Sequence, residues 1–308
     1  MKLYYCDHLR IPLPVGHKFP AQKYRLLRET LAADGAFDFQ RAPLASPETI
    51  ELVHDPHYVR GFLDGSLDAQ IMRRIGFPWS PELVRRTLAS VGGTLSATRD
   101  ALEAGIGGTL AGGTHHAFRS EGAGFCVFND IAIAVRDLLA RRRIRRAAIV
   151  DLDVHQGDGT ALLFEDDPAV LTVSLHGAAN FPFRKQRSRI DIEFADGATD
   201  EEYLTALDRT LPRVLDFQPD IVFYQSGVDG LAGDRLGRLA LTHEGLRRRD
   251  EMVFRNFLAQ GIPVVITLGG GYSNPFSRTV DAHAGTFRTA LQNLRRHHQA
   301  YRVVPGVL

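Results

Sequence analysis

The chain has 308 residues, 44% of them apolar, and a formal net charge of +1 from 37 basic and 36 acidic residues. Folding should bury about 75% of the unfolded chain's surface. The balanced charge excludes the global basic footprint of a protein that binds nucleic acid or an anionic membrane.

Cysteine usage and hydropathy indicate a compartment. The only cysteines, Cys6 and Cys126, are too few for a disulfide framework and fit a reducing environment. Residues 1–16 lack the apolar core of a signal peptide, and no apolar run reaches about 18 residues. We therefore expect a soluble, cytoplasmic protein.

The first third of the chain is predicted to be mostly helical after one short strand over Lys2–Cys6. A helix should begin near Pro20. Three further helix starts are indicated by an N-cap residue followed by proline, at Ser46, Asp55 and Ser80. The last of these helices should end at Gly105, because glycine commonly closes a helix.

From residue 107 onward, apolar segments alternate with helical patterns. The predicted strands are 107–110, 147–153, 170–175, 220–226 and 263–268, and helices are predicted near 129–140, 200–217 and 243–260. The strands lack polar alternation, which is typical of strands buried on both faces. This succession predicts an α/β fold with a mostly parallel β-sheet and helices on both faces. No linker or repeat divides the chain, so we expect one domain over residues 1–308.

Ionisable and glycine-rich segments lie at four predicted strand ends, where sheets of this kind bind ligands. In chain order they are His115-His116, Asp151 to Gly159, Asp229 between two glycines, and Gly269-Gly270-Gly271-Tyr272. Each has an ordinary explanation: a surface accident, a buried ion pair, a turn residue and a tight turn. Their coincidence at four strand ends favours a functional site.

Asp153 and His155 have the spacing of residues that share a cation. In an extended chain, residues two apart project from the same face, roughly 6.6 Å apart. Charged side chains are rarely fully buried unless they are paired or bind metal. Both side chains could therefore reach one metal ion at about 2 Å.

These segments together resemble the zinc-dependent histone deacetylase family, whose fold is shared with arginase. The matching segments are Gly113–Ala117, Gly124–Asp130, Asp151–Gly159, Gly227–Asp229 and Gly269–Tyr272. Three more, Phe183–Arg187, Asp200–Leu204 and Gly233–Gly237, are most similar to the class IV branch and its bacterial relatives. Gln156 stands where many deacetylases have a second histidine, and class IV members resemble this chain there.

The resemblance implies two cation sites. A zinc ion (Zn²⁺) would be held by Asp153, His155 and Asp229. A monovalent cation, K⁺ or Na⁺, would lie near five residues: Asp151, Asp153, His155, Ser174 and Leu175. Zinc with three protein ligands and an open position is typical of catalytic rather than structural sites.

The resemblance also implies roles for the groups around the zinc ion. His116, oriented by Asp158, would take a proton from the attacking water. His115, close to Asp151, would steady the charge or protonate the departing amine. Tyr272 would donate its hydroxyl to the developing oxyanion.

The family's acyl tunnel is matched by five positions: Phe125, Phe181, Leu236, Gly124 and Gly270. The two phenylalanines would sandwich the four methylenes of an acylated lysine, although without the motifs they would be ordinary core residues. The expected activity is removal of an acetyl or longer acyl group from lysine in a peptide or protein. No direct nucleic-acid or membrane partner and no particular oligomer are predicted.

Three alternative functions stay open. The substrate could be an acetylated polyamine instead of acyl-lysine. A ureohydrolase with two manganese ions would need a carboxylate two residues beyond His155, where the chain has Gly157. A zinc-bound module that binds acyl-lysine without turnover predicts damage to the histidine pair or the tyrosine, and all three residues are present.

Overall fold

The computed structural model describes residues 1–302. Within this range eight strands form one sheet: β1 Lys2–Tyr5, β2 Asp38–Arg41, β3 Ile106–Thr109, β4 Ala147–Asp151, β5 Val170–Gly177, β6 Ile190–Phe194, β7 Ile221–Gln225 and β8 Val264–Thr267. Their order is β2-β1-β3-β8-β7-β4-β5-β6, and neighbouring strands run parallel. The predicted α/β fold is confirmed.

Ten helices in the same range connect and cover the strands. They are α1 Gln22–Ala32, α2 Pro47–Ile50, α3 Pro56–Asp64, α4 Ala69–Ile75, α5 Pro81–Ala104, α6 Asp130–Ala140, α7 Asp158–Leu163, α8 Asp200–Asp216, α9 His243–Ala259 and α10 Ser277–Arg302. The side chains of Ser46, Asp55 and Ser80 accept hydrogen bonds from first-turn N–H groups. These predicted N-caps are therefore present.

Helices cover both faces of the sheet because successive strand residues point to opposite sides. In β4, Ala148 and Val150 belong to the core formed with α1, α8, α9 and α10. Ala147 and Ile149 belong to the core formed with α5 and α6. Burial on both faces explains why the central strands carry almost continuous apolar sequence.

The strand register aligns the carboxyl ends of the central strands. Asp151 of β4 pairs with Ser174 of β5 and with Gln225 of β7, which in turn pairs with Thr267 of β8. The loops after β3, β8, β7 and β4, which are consecutive neighbours in the sheet, therefore open along one edge. This edge carries the ionisable segments identified in the sequence.

The sequence prediction missed β2, β6, α4, α7 and α10. It also set two strand ends wrongly: β4 ends at residue 151 rather than 153, and β5 continues to residue 177. β2 and β6 lie at the edges of the sheet. Their partly exposed residues weaken the apolar pattern on which a strand prediction depends.

The state of the cysteines and the character of the helices bear on the compartment predicted for the protein. Cys6 and Cys126 are buried and unpaired. No helix formed by residues 1–302 combines the length and apolar character needed to cross a membrane. The single domain over residues 1–308 stays a prediction, since its last six residues lie outside the described range.

A buried arginine joins the loops that follow β4 and β7. Arg249 of α9 is fully buried, and its Nη1 donates to the carbonyl oxygens of Gly227 at 2.6 Å and Leu152 at 3.3 Å. Its Nε and Nη2 donate to Asp250 Oδ1 at 3.0 and 2.8 Å. The helix layer thereby holds both loops in place.

We predict that Arg249→Met lowers the free energy of unfolding by about 3–5 kcal/mol, because Asp250 is left buried without its cation. Urea denaturation measures this difference. Arg248→Met is the matched control, since the neighbouring side chain is exposed. Equal stability of the two variants would show that the buried arginine contributes little.

Candidate active site and metal centre

Three ionisable side chains from the loops after β4 and β7 converge. His155 Nδ1 lies 3.0 Å from Asp153 Oδ1 and 3.1 Å from Asp229 Oδ2. Among the residues that the structure describes, these three form the one group able to hold a metal ion, with a ligand atom from each within 4.8 Å of the others. The structure thus brings together the residues predicted to hold zinc.

Asp153 and His155 meet in a turn rather than in a strand, because β4 ends at Asp151. Asp153 N donates to Asp151 Oδ1 at 3.1 Å, and His155 N donates to Asp153 Oδ1 at 3.0 Å. The extended spacing expected from the sequence was therefore wrong. The turn brings the two side chains closer together than an extended chain would.

Backbone N–H groups orient the two carboxylates. Gly270 N donates to Asp153 Oδ2 at 2.6 Å, and Val154 N donates to Asp229 Oδ1 at 2.9 Å. Each acid keeps its second oxygen turned toward His155. Such outer contacts are the usual means of fixing metal ligands.

The electrostatics of the three residues favour a cation between them. Burial, together with the charge of Asp153, raises the pKa of Asp229 to about 6. Burial opposes ionisation of Asp153, but its hydrogen bond with His155 and nearby imidazole charges hold its pKa well below the usual range. Burial would lower the pKa of His155, whereas its bonds with both acids raise it to about 10.

A divalent ion fits this donor set. Two buried acids this close together need a positive charge beside them, from an imidazolium or from a metal that displaces its proton. Zinc takes carboxylate oxygen and imidazole nitrogen at about 2 Å. Tetrahedral ligands at that distance lie roughly 3.3 Å apart, close to the separations of His155 Nδ1 from the two acids.

Two histidine–aspartate pairs lie beside this group. His115 Nδ1 donates to Asp151 Oδ2 and His116 Nδ1 donates to Asp158 Oδ1, both at 2.7 Å. The two imidazole rings are 4.0 Å apart between centroids. The pairing predicted for the tandem histidines is therefore the pairing observed.

The two pairs differ in proton affinity. Burial would lower the pKa of His115, but the charge of Asp151 and its hydrogen bond raise it to about 9. Burial, and then the charge of His115, lowers the pKa of His116 to about 4. Near neutral pH, His116 is neutral with its proton on Nδ1, so its Nε2 is free to accept one.

Asp130 holds the loop that carries the two histidines. This buried carboxylate accepts hydrogen bonds from Gly113 N at 3.1 Å, Thr114 N at 2.8 Å and the Thr94 hydroxyl at 2.5 Å. Sequence reasoning matched the segment around Asp130 to the family but gave it no role. The structure shows that it positions the histidine loop.

Tyr272 lies on the glycine loop after β8 and lines the same pocket as Asp153 and His155. Desolvation and the charge of Asp229 raise the pKa of Tyr272 well above its usual value. The hydroxyl therefore stays protonated and available as a donor. Its backbone N donates to Asp234 Oδ2 at 2.6 Å, which ties the tyrosine to the loop after β7.

Lys23 is a site residue that sequence reasoning missed. It is buried in α1, its Nζ donates to Gly269 O at 2.8 Å, and it lies 5.8 Å from the centroid of the Tyr272 ring. Burial lowers the pKa of Lys23 to about 8. Its spacing from Leu27 and Leu31 places it on the buried face of the helix, the one available signal.

These groups line a pocket of about 680 Å³. All five predicted tunnel residues line it too: Phe125, Phe181, Leu236, Gly124 and Gly270. The Phe181 ring meets the His116 ring edge-on, with 4.9 Å between the ring centroids. Phe181 and Leu236 are 37% and 40% exposed, so they lie toward the mouth. Phe125, by contrast, packs against the rings of Phe19 and Phe77.

Local anchors fix the pocket walls. Phe125 N donates to Ile75 O at the end of α4 at 2.8 Å. Lys185 Nζ donates to Asn180 O and Pro182 O at 2.6 Å and thereby fixes the loop that carries Phe181.

Gln156 binds the segment that follows the Phe181 loop. Its Nε2 donates to Gln186 O at 2.7 Å and to Asp191 Oδ1 at 2.9 Å, and its Oε1 accepts from Gln186 N at 2.8 Å. In this chain Gln156 therefore has a structural contact at the position where many deacetylases carry a second histidine.

Of the residues predicted for the monovalent cation, Asp151 ends β4, and Ser174 and Leu175 lie within β5. Ser174 lies opposite Asp151 in the register, and its hydroxyl is hydrogen-bonded to His176 Nδ1 at 2.9 Å. Leu175 is fully buried. The cation itself stays a prediction.

Residues 17–287 match the family model described as the histone deacetylase domain. The chain belongs to the histone deacetylase family. It is accordingly a deacetylase-type hydrolase. An uncharacterized protein of Picosynechococcus sp. is 46% identical over 292 residues, which cover 94% of this chain and 97% of that protein. Histone deacetylase 2 of Arabidopsis thaliana is 34% identical over 277 residues, covering 86% and 72% of the two chains.

A solved structure shows the same fold. Acetylpolyamine aminohydrolase from Burkholderia pseudomallei superposes with a TM-score of 0.79 over 94% of this chain and 98% of its own, at 22% identity. This likeness supports the shared architecture. The class IV assignment stays a prediction.

We predict that Gly270→Ala strongly reduces zinc binding, because a Cβ at this position would overlap Asp229 Oδ2. The bound zinc should fall about 10-fold or more in a titration of the purified protein. Gly285→Ala is the matched control, since a Cβ there meets no atom within 4 Å. Unchanged zinc affinity in Gly270→Ala would show that the carboxylate can move aside.

Proposed function

We propose that the protein is a zinc-dependent deacylase that removes acetyl or longer acyl groups from lysine side chains in peptides or proteins. One zinc ion would be held by Asp153, His155 and Asp229. The observation that carries the proposal is that two of these residues and both tandem histidines line one pocket. Relatives named histone deacetylases support acyl-lysine as the substrate.

The side chains of the site divide the chemistry among them. Asp153, His155 and Asp229 would hold a zinc ion, which would supply polarisation of the amide carbonyl and a lowered pKa for the attacking water. His116 accepts the proton from that water at Nε2, while Asp158 holds its ring in place. His115 retains its own proton near neutral pH because of Asp151, so one histidine can accept a proton while the other can donate.

Tyr272 and the pocket wall act on the substrate. The protonated hydroxyl of Tyr272 donates to the carbonyl oxygen as negative charge develops there. Phe125 and Phe181 border the path of the lysine methylenes, which are neutral and suit an apolar wall. The reaction consumes one amide and one water and releases a carboxylate and an amine.

The ureohydrolase alternative finds no support in the site. The second manganese would need a carboxylate at Gly157, and a Cβ there would lie 2.5 Å from Asp151 Oδ2. Any larger residue at this position would displace a partner of the histidine pair. The non-catalytic alternative requires a damaged site, whereas His115, His116 and Tyr272 all line the pocket.

Three further parts of the proposal rest mainly on sequence. We propose membership of the class IV branch, a K⁺ or Na⁺ ion near Asp151 and Ser174, and action in the cytoplasm. The last is supported by two buried, unpaired cysteines, which suit a reducing compartment.

We predict that Asp229→Ala loses most of its bound zinc, because one of two charged ligands is removed. Tyr272→Phe should keep its zinc but lose about 10²–10³ in kcat, the usual cost of one oxyanion donor. Metal analysis and release of free acid from lysine peptides carrying acetyl to myristoyl groups, with added zinc or a chelator, measure both effects. Tyr5→Phe, outside the pocket, is the control substitution.

The outcomes separate the candidate functions. Wild-type turnover by Tyr272→Phe would contradict the role given to the tyrosine, and full zinc content in Asp229→Ala would contradict the metal site. Two manganese ions per chain would favour the ureohydrolase. Binding of acylated peptide without release of acid would favour the recognition module.

A further inference from the structure

The charged side chains of the pocket wall bear on the choice between two candidate substrates, acyl-lysine and an acylated polyamine. Among the described residues that line the pocket, Asp153 is the single acid, and it belongs to the proposed metal site. The other fully charged side chains of the wall are basic: Lys23, Arg74, Arg235 and Arg238. No carboxylate of the wall is left to receive an additional ammonium group of a substrate.

Two of the three arginines already have partners. Arg74 forms an ion pair with Glu121, and Arg238 forms one with Asp196 at 3.2 Å. Exposed pairs of this kind leave little net charge at the surface. The charge balance at the mouth therefore depends on the third arginine.

Arg235 is exposed and, within residues 1–302, has neither a hydrogen bond nor an ion pair. Its backbone position is nevertheless fixed, because Asp234 Oδ1 accepts from Leu236 N at 2.9 Å and from Gly237 N at 3.0 Å. Leu236 is one of the pocket residues nearest the mouth. Arg235 thus places an uncompensated positive charge beside the entrance.

An acylated polyamine would carry its remaining ammonium groups into this region. These groups lie a few methylenes from the acylated nitrogen, where they would face Arg235 without a compensating acid. An acyl-lysine in a peptide presents a neutral backbone at the same depth. Carboxylates on neighbouring residues of the peptide would be attracted to the arginine.

We propose that the site accepts acyl-lysine within an acidic peptide segment and discriminates against acylated polyamines, with Arg235 as the residue that senses substrate charge. This inference rests on the proposed deacylase function. Exposed charge pairs have modest effects. The expected discrimination is therefore about fivefold in kcat/KM for each substrate charge near the arginine.

The test uses the zinc-loaded full chain and three substrates. Two acetyl-lysine peptides differ only in flanking residues, which are two glutamates or two lysines, and the third substrate is acetylspermidine. We expect kcat/KM to be highest for the glutamate peptide and lowest for acetylspermidine. The difference should shrink at about 0.5 M salt, because salt screens exposed charges.

Variants assign the effect to Arg235. Arg235→Gln should remove most of the preference between the two peptides, and Arg235→Glu should reverse it. Arg143→Glu is the matched control, an equal charge change at an exposed residue that precedes β4 and so lies at the opposite edge of the sheet. It should leave the preference unchanged. Zinc content verifies that each variant retains the site.

Equal kcat/KM for the two peptides, a preference for acetylspermidine, or a preference that survives Arg235→Gln would each overturn this inference alone. A wild-type preference for the glutamate peptide that is insensitive to salt would also count against a charge effect. Absence of turnover on every substrate with zinc bound would overturn the proposed function as well.

Discussion

The site depends on two buried carboxylates held close together. Asp153 and Asp229 repel each other in a medium where water cannot screen them, and the fold nevertheless brings both against His155. The scaffold makes this possible by donating backbone hydrogen bonds from Gly270 and Val154 to the outer oxygens. The arrangement is unfavourable without a shared positive charge, and this makes it a candidate cation site.

The parallel sheet supplies the required proximity. Asp229 lies 74 positions after His155 in the chain (229 − 155), yet β7 and β4 are adjacent and in register. Burial on both faces fixes these strands, and Arg249 ties the loops that follow them. Burial of the apolar strands thus stabilises a fold that holds polar groups at the carboxyl ends of the central strands.

Much of this organisation could be predicted from the sequence. Continuous apolar segments identified the central strands, and the rule that ligands bind at strand ends then selected the loops that line the candidate site. Contacts between segments distant in sequence could not be predicted in this way. In the sequence Lys23 resembles an ordinary helix lysine, and only the structure shows its hydrogen bond to Gly269 O. Likewise, no sequence pattern of α4 reveals the hydrogen bond that its last residue accepts from Phe125 N. The sequence prediction missed the edge strands β2 and β6 because their residues are partly exposed.

The opposite proton affinities of His115 and His116 were also beyond sequence reasoning. Each has one aspartate at the same distance, so local pairing alone predicts equal behaviour. The difference arises because the charge of His115 lowers the pKa of His116, whereas Asp151 and Asp153 raise the pKa of His115. Such asymmetry is a property of the assembled cluster and of no single motif.

Asp234 links two functions of the pocket through one carboxylate. One oxygen accepts from the backbone of Tyr272, and the other accepts from Leu236 and Gly237 at the entrance. A displacement of the loop that carries Leu236 and Gly237 is therefore transmitted to Tyr272. Remodelling the mouth to admit a bulkier substrate would shift Tyr272, the proposed oxyanion donor, too, so that the proposed function couples selectivity to turnover rate in this scaffold.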